Sequence, residues 1–124
     1  MDIKNLILSS VLLLTIDSIY LNLVGDYFNK MMKNIQGNKI KLKLSGAIFC
    51  YIFLVLGLNY FIIEQNKSPF EAALLGWVIY GVYEGTNYAI IDNWTQKAVL
   101  MDTVWGGVLF YLTTFLTYKL KIYL

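Results

Sequence analysis

The chain has 124 residues, of which 58% are hydrophobic and 15% charged, and its formal net charge is +2. Its mean hydropathy of +0.58 is far above ordinary globular usage, so the composition excludes a typical soluble domain and favours a membrane protein. With no His and a single Cys, the chain has no nitrogen and sulfur ligand set for zinc, and no metal site or cofactor is predicted. The low net charge and the absence of Arg argue against nucleic acid as a partner.

Four long apolar runs follow one another along the chain, at about residues 5–24, 44–63, 69–91 and 98–118. Each run has roughly the 20 residues that an α-helix needs to cross a bilayer. The first run is predicted to be retained and not cleaved as a signal peptide, because its apolar core is long and Asp17 interrupts it. Short connections make sequential helices antiparallel neighbours. We therefore expect a single all-α domain over residues 1–124, a multi-pass membrane protein whose four transmembrane helices form an up-down antiparallel bundle.

The connection at residues 26–43 is basic and amphipathic, and it carries five of the ten lysines. Its apolar stripe predicts a segment that lies along the membrane surface, with the lysines from Lys30 to Lys43 facing anionic lipid. A basic linker that only sets topology explains the same pattern. Loops 1–2 and 3–4 together hold six lysines against four on the other side, which places these two loops in the cytoplasm and both termini outside.

Helix three has a clear start signal. Ser68 precedes Pro69, and Glu71 follows three residues after the serine. This is the pattern of a capping box with proline at the first helical position, so Glu71 is predicted to cap the helix and not to belong to a functional site.

Three acids, in contrast to all ten lysines, fall inside the apolar runs: Asp17, Glu84 and Asp102. Counted from helix ends that share one face, all three are predicted about 10 to 14 Å below that face. Tyr51 of helix two lies near the same level. A carboxylate at this depth costs at least about 2.5 to 3.5 kcal/mol unless it is shielded. Intramembrane acids therefore indicate a functional site, here a ring of three carboxylates and a phenol. The alternative is that the three acids point toward different neighbours.

Polar residues surround Glu84 on helix three, namely Tyr80, Tyr83, Thr86 and Asn87. Tyr80 and Asn87 stand at helical spacing from Glu84 and extend its polar face. The alternative is that these side chains serve only as interhelical hydrogen-bond contacts, which are common in membrane helices.

The sequence resembles an uncharacterised family of four-helix integral membrane proteins, mostly bacterial, known as a domain of unknown function. The resemblance covers nearly the whole chain and rests on three strings of residues: Asp17 with Tyr20-Leu21; Tyr83-Glu84 with Thr86-Asn87; and Asp102 with Trp105-Gly106. The chain differs in having Glu84 where Asp is expected and Tyr20 where Trp is common. The resemblance implies four helices and one shared site that includes Trp105, and it implies no activity.

Two classes of function agree with the sequence, and a third, simpler possibility is that the protein has only a structural role. The leading hypothesis is that Asp17, Glu84 and Asp102 bind or relay a proton or a hard cation, as in a transporter or channel. One four-helix bundle is narrow, so a pore would call for a homo-oligomer. The alternative is a membrane-embedded enzyme, or an enzyme accessory, that handles lipid, in which one carboxyl acts as general acid and another as base. That alternative requires an apolar groove that opens sideways from the acids. The third possibility is a structural membrane protein whose acids only join helices.

Overall fold

The computed structural model describes all 124 residues, and every regular element in it is helical. Helix α1 spans Ile3–Gln36, and α2 spans Leu44–Leu58 and continues as a π-helical segment at Asn59–Ile63. Helix α3 spans Pro69–Ile90, and α4 spans Gln96–Leu120 before a short 3₁₀ turn at Lys121–Tyr123. The predicted all-α class is therefore confirmed.

Three helical segments are long and apolar enough to cross a membrane, by length and composition: Ile3–Gln36, Leu44–Ile63 and Gln96–Tyr123. Helix α3 has 22 residues, a sufficient length, but it is not among the three segments that are apolar enough over 18 consecutive residues. Its C-terminal half holds Glu84, Asn87 and several tyrosines, which are the same residues that suggested a site. The molecule is thus an all-helical protein with three candidate membrane spans.

Helix α1 is much longer than the sequence suggested. It has 34 residues, or about 51 Å at the rise of an α-helix, whereas the hydrocarbon core is about 30 Å thick. Gly25 does not break the helix, and α1 ends only at Gly37, which has φ +83° and donates its N–H to the Lys33 carbonyl. Residues 26–36, which were expected to belong to the surface connection, therefore continue α1.

The C-terminal extension of α1 packs on the turn between α3 and α4. The hydroxyls of Tyr27 and Thr95 are hydrogen-bonded, and the Lys97 ammonium lies 4.8 Å from the centre of the Tyr27 ring. Met31 is buried beside Thr95, whose hydroxyl is 3.6 Å from the methionine sulfur. These contacts hold the extension against the bundle.

The start of α3 is confirmed in detail. The Ser68 side chain accepts a hydrogen bond from the Glu71 amide at 3.2 Å, and Glu71 accepts one from the Ser68 amide at 3.0 Å. Pro69 occupies the first turn, where the missing N–H has no cost. Glu71 is thus a capping residue.

Helices α3 and α4 share the most extensive interface in the molecule. Gly76 faces Gly106, and a Cβ added to Gly76 would lie 2.7 Å from the Gly106 carbonyl carbon. The rings of Tyr80 and Trp77 pack onto Gly106 and Gly107. Glycines allow this close approach because no side chain separates the two backbones.

An apolar core fills the middle of the bundle. Its fully buried side chains include Leu13, Leu58, Ile63, Leu109 and Phe110. These residues come from α1, α2 with its π-helical segment, and α4, and the fully buried Ala72 adds α3, so the core joins all four helices.

Contacts at one end of the molecule bring distant parts of the chain together. The Asp2 amide donates to Glu64, the Lys4 ammonium donates to the Leu124 carbonyl at 2.7 Å, and the Tyr118 hydroxyl donates to the Lys67 carbonyl at 2.7 Å. The start of α1 therefore lies beside the ends of α2 and α4.

Candidate acid groove

Asp17 joins three helices through its two carboxylate oxygens. One oxygen accepts a hydrogen bond from the Trp105 indole N–H at 2.8 Å, and the other accepts a short one from the Tyr51 hydroxyl. Asp17 is buried, and both its donors come from other helices, α4 and α2. The Asp17 carboxyl is therefore satisfied within the protein.

A stacked aromatic pair connects Asp17 with Asp102. The rings of Tyr20 and Trp105 lie 4.4 Å apart between centroids and are nearly parallel, with an interplanar angle of 3°. Trp105 donates to Asp17, while the Tyr20 hydroxyl donates to Asp102 at 3.2 Å. The two aspartates are thus linked to opposite members of one stack.

Glu84 has a different environment. Its residue is 1% exposed, and its Oε1 atom accepts a hydrogen bond from the Trp94 indole at 2.9 Å. Its second oxygen, Oε2, is buried and accepts no hydrogen bond from an N–H or hydroxyl group, and the Asp102 carboxyl lies within hydrogen-bonding reach of the Glu84 carboxyl. A buried polar atom of this kind is costly, and it is the one carboxylate oxygen without such a donor among the buried polar atoms.

Glu84 lies on the wall of a groove of about 640 Å³, which we call the acid groove. Its walls come from the second half of α1, the α1–α2 connection, α3 and the α3–α4 turn, and they are mostly hydrophobic. The polar lining residues are Asn29, Tyr83, Glu84, Asn87, Trp94 and Asp102. The acid groove thus combines two carboxyl groups with an apolar surface.

The structure places the predicted site residues in three different settings. Glu84, Asp102, Asn87 and Tyr83 line the acid groove. Asp17, Tyr51 and Trp105 form the hydrogen-bonded group beside it and do not line it.

Two predicted residues lie outside both groups. Thr86 is exposed and donates its hydroxyl to the Val82 carbonyl of its own helix at 2.7 Å. Tyr80 packs against Gly106 in the α3–α4 interface. No three acids of the chain lie close enough together to hold one metal ion. The three carboxyls therefore form an extended hydrogen-bonded arrangement and not a compact ring.

Two residues that matter here were not predicted as site residues. One is Trp94 of the α3–α4 turn, whose indole N–H donates to Glu84. Tyr20 entered only through the family resemblance, although its ring and hydroxyl join α1 to α4. Both residues have an aromatic ring that carries a polar atom, and both lie near an acid of the apolar runs. This combination is the feature of the sequence that could have identified them as site residues.

A second set of buried polar residues lies toward the other end of the bundle. Its members share amide or hydroxyl side chains with no net charge, and we call it the hydroxyl–amide group: Ser9, Asn59, Thr113, Thr114 and Thr117. Asn59 donates to the Ser9 hydroxyl and to the Val55 carbonyl, both at 2.9 Å. None of the four main cavities is lined by a member of this group.

Comparison with known proteins gives a family and no close relative of known role. Neither the curated proteins nor the solved structures contain a significant match to this chain. A family model described as "Predicted membrane protein (DUF2177)" matches residues 3–119, nearly the whole length. The family carries no assigned function, in agreement with what the resemblance implied. The chain belongs to this family of membrane proteins.

Proposed function

We propose that this protein handles a lipid-like amphiphile, which it binds in the acid groove. The observation that carries the proposal is the pair of adjacent carboxyls, Glu84 and Asp102, on the groove wall, where the buried Oε2 atom of Glu84 accepts no hydrogen bond from an N–H or hydroxyl group. Native proteins satisfy nearly all buried polar groups, and an oxygen without a donor at a groove is explained most simply by a ligand that supplies the missing contact.

The rest of the groove supports an amphiphile over a small polar solute. The hydrophobic walls suit acyl or other hydrocarbon chains, while Glu84, Asn87 and Asp102 offer hydrogen-bond partners to a hydroxyl, ester or amine. This combination is what the lipid-handling hypothesis requires, namely an apolar groove that begins at the acids. If the protein is also an enzyme or an enzyme accessory, Glu84 and Asp102 are the pair that would exchange protons with the lipid.

The proposal includes a topology in which α3 is the fourth span of an up-down bundle. Its 22 residues reach about 33 Å, enough for the hydrocarbon core, and it packs along α4. Its residues Tyr83, Glu84 and Asn87 then line the acid groove. By the lysine count, the α1–α2 and α3–α4 connections lie in the cytoplasm.

The test fills the groove with a side chain. Gly25 lines the groove, and a Cβ built on it has no neighbour within 4 Å, so Gly25→Phe adds a ring there without a clash at the backbone. Gly46 on α2 is equally open and lines none of the four main cavities, so Gly46→Phe is the matched control.

Lipid retained by the purified protein is measured by native mass spectrometry after detergent exchange. We expect wild type and Gly46→Phe to keep one tightly bound lipid, and Gly25→Phe to lose it. Wild type that retains no lipid, or Gly25→Phe that retains as much as the control, contradicts the proposal.

The proton or cation relay is the second candidate, and the hydrogen bonds around Asp17 and Asp102 favour it. Tyr51, Trp105 and Tyr20 supply O–H and N–H donors to these carboxyls, which is a suitable arrangement for holding or moving a proton. The apolar core, with Leu13 and Phe110 fully buried, separates the acids from the opposite end of a single bundle. A relay across the membrane would therefore call for a second copy of the chain.

The relay is tested by proton and monovalent-cation flux into liposomes that contain wild type, Asp102→Asn or Thr86→Val. Thr86 is the control because its hydroxyl is bonded within its own helix. Flux in wild type and Thr86→Val, lost in Asp102→Asn, would favour the relay over lipid handling. Flux no higher than in empty liposomes would exclude it.

A further inference from the structure

A polar cavity of about 340 Å³ adjoins the acid groove. It is lined only by Asp26, Asn29, Lys30, Lys33 and Lys39, and we call it the lysine pocket. Three lysines and one aspartate give it a net charge of +2. It holds three of the ten lysines of the chain, so it is a concentrated site of positive charge.

The lysine pocket and the acid groove are parts of one continuous surface. Asn29 lines both cavities. On α1, Phe28 and Met32 line the groove, while Lys30 and Lys33 line the pocket. The two pairs are each spaced at helical intervals, so one face of the helix extension serves the groove and the neighbouring face serves the pocket.

The chain after α1 completes both cavities. The left-handed turn at Gly37 reverses the backbone, and the extended residues that follow bring Lys39 to the pocket and Ile40 to the groove. The Asn29 side chain accepts a hydrogen bond from the Ile40 amide at 3.3 Å, which fixes the connection to α1 at the point where the cavities meet.

We propose that the lysine pocket binds the phosphate of an anionic phospholipid whose glycerol-ester region and chains occupy the acid groove. This inference rests on the proposed function and names the class of lipid. The order of groups along α1 agrees with the order of groups in a phospholipid. The acid groove begins on α1 at Leu21, and Lys30 is nine residues farther along the helix, or about 14 Å, in the direction of the connection to α2. The phosphate of a lipid likewise lies outside its ester groups and chains.

Charge complementarity selects an anionic lipid over a zwitterionic one. Each positive charge near the headgroups strengthens the binding of an anionic lipid by about fivefold, and Asp26 offsets one of the three lysines, so the net charge of +2 amounts to about 25-fold. A zwitterionic headgroup brings a positive charge into the same pocket and loses most of that gain. The pocket is therefore a basis for headgroup selection, and the groove is the basis for holding the lipid at all.

The test compares phosphatidylglycerol with phosphatidylcholine of identical chains, titrated onto the purified full-length protein in detergent and followed by native mass spectrometry. We expect wild type to prefer phosphatidylglycerol by at least tenfold. The triple variant Lys30→Gln/Lys33→Gln/Lys39→Gln should lose the preference and still bind lipid. The control Lys67→Gln/Lys119→Gln/Lys121→Gln removes the same charge from residues outside both cavities and should keep the preference.

The outcomes separate this inference from the proposed function. If wild type binds both lipids equally and Gly25→Phe still abolishes binding, the preference for an anionic phospholipid is overturned. The groove proposal then stands. Equal loss of preference in the control overturns the lysine pocket as the selecting site. Inorganic phosphate is also added as a competitor. If it binds in the lysine pocket and does not weaken lipid binding, the pocket is a site for free phosphate and not for a lipid headgroup. Wild type with no bound lipid overturns both proposals.

Discussion

The molecule buries two groups of polar side chains, and they differ in chemistry and surroundings. The acids Glu84 and Asp102 line a groove, and one oxygen of Glu84 accepts no hydrogen bond from an N–H or hydroxyl group. The hydroxyl–amide group contains no ionisable side chain and lines none of the main cavities. Both groups contain buried polar atoms without a donor or acceptor partner, including Oδ1 of Asn59 and the hydroxyls of Thr113 and Thr114, but only the acids line one of the four main cavities.

This difference helps to distinguish polar residues of a functional site from polar residues that only pack helices together in a membrane bundle. Polar residues between helices contribute modestly to association, and neutral ones such as Ser9 and Asn59 suit that role. Ionisable groups cost far more and are retained where they act. Asp17 lies between the two cases, because it is ionisable but both its oxygens are bonded to residues of neighbouring helices. We therefore expect Asp17 to stabilise the fold and Glu84 to act on a ligand.

The largest change in the free energy of unfolding is expected when a charge is placed in the hydroxyl–amide group. Asn59→Asp removes the amide donor to Ser9 and Val55 and introduces an acid at a fully buried position. We expect the free energy of unfolding to fall by at least about 3 kcal/mol. The measurement is SDS-induced unfolding followed by circular dichroism. The reverse exchange, Asp17→Asn, keeps an oxygen for Trp105 and should cost less than about 1 kcal/mol. Equal losses in both variants would remove the distinction between the two groups.

A smaller effect is expected where the acids meet the aromatic stack. Tyr20→Phe keeps the stack on Trp105 and removes the hydrogen bond to Asp102, which should cost about 1 kcal/mol. Tyr20→Leu also removes the stack and should cost about 1 kcal/mol more. The same unfolding measurement checks both variants. If Phe and Leu are equally destabilising, the stack contributes nothing and the hydroxyl carries the whole effect.

Ser9→Ala should have a similar but purely structural effect. The Asn59 amide then loses one of its two acceptors in a buried position, so we expect a loss of about 1 kcal/mol. Lipid retention measured by native mass spectrometry should match wild type. Loss of lipid in Ser9→Ala would mean that the hydroxyl–amide group also serves a ligand.

The smallest effect is expected at Thr114. Its hydroxyl is buried without a partner, and valine has nearly the same shape. Because removing an unsatisfied polar atom is close to neutral, Thr114→Val should change the free energy of unfolding by less than about 0.5 kcal/mol, in the stabilising direction. Destabilisation of 1 kcal/mol or more, roughly one hydrogen bond, would reveal a bound water or other partner at Thr114.

The helices and the α3 cap could be predicted from the sequence because their signals are local. Runs of apolar residues give the spans, and Ser68, Pro69 and Glu71 give the start of α3 within a few residues of chain. The length of α1 was missed because the change from apolar to basic residues was taken as its end. The glycine that ends it, Gly37, comes twelve residues after Gly25, and composition does not tell which glycine adopts the left-handed conformation.

The site was only partly predictable because its contacts join distant residues. Trp94 reaches Glu84 from the next turn, and Trp105 reaches Asp17 from another helix. Helix geometry alone explains why Thr86 does not line the groove, since a residue two positions from Glu84 points to nearly the opposite side of the helix. Asn87, three positions from Glu84, does line the groove. The Glu84 oxygen without a donor has no signal in the sequence.

The unbroken α1 helix also sets a rule for how this chain can change in evolution. One continuous helix carries Asp17, the groove residues and two lysines of the pocket. Inserting a single residue between Asp17 and Lys30 would turn everything beyond it by about 100° and shift it by about 1.5 Å, so Lys30 and Lys33 would no longer line the lysine pocket beside the groove. The extended residues after Gly37 have no such periodicity. Length variation among relatives should therefore be absent from the middle of α1 and concentrate in the connection to α2.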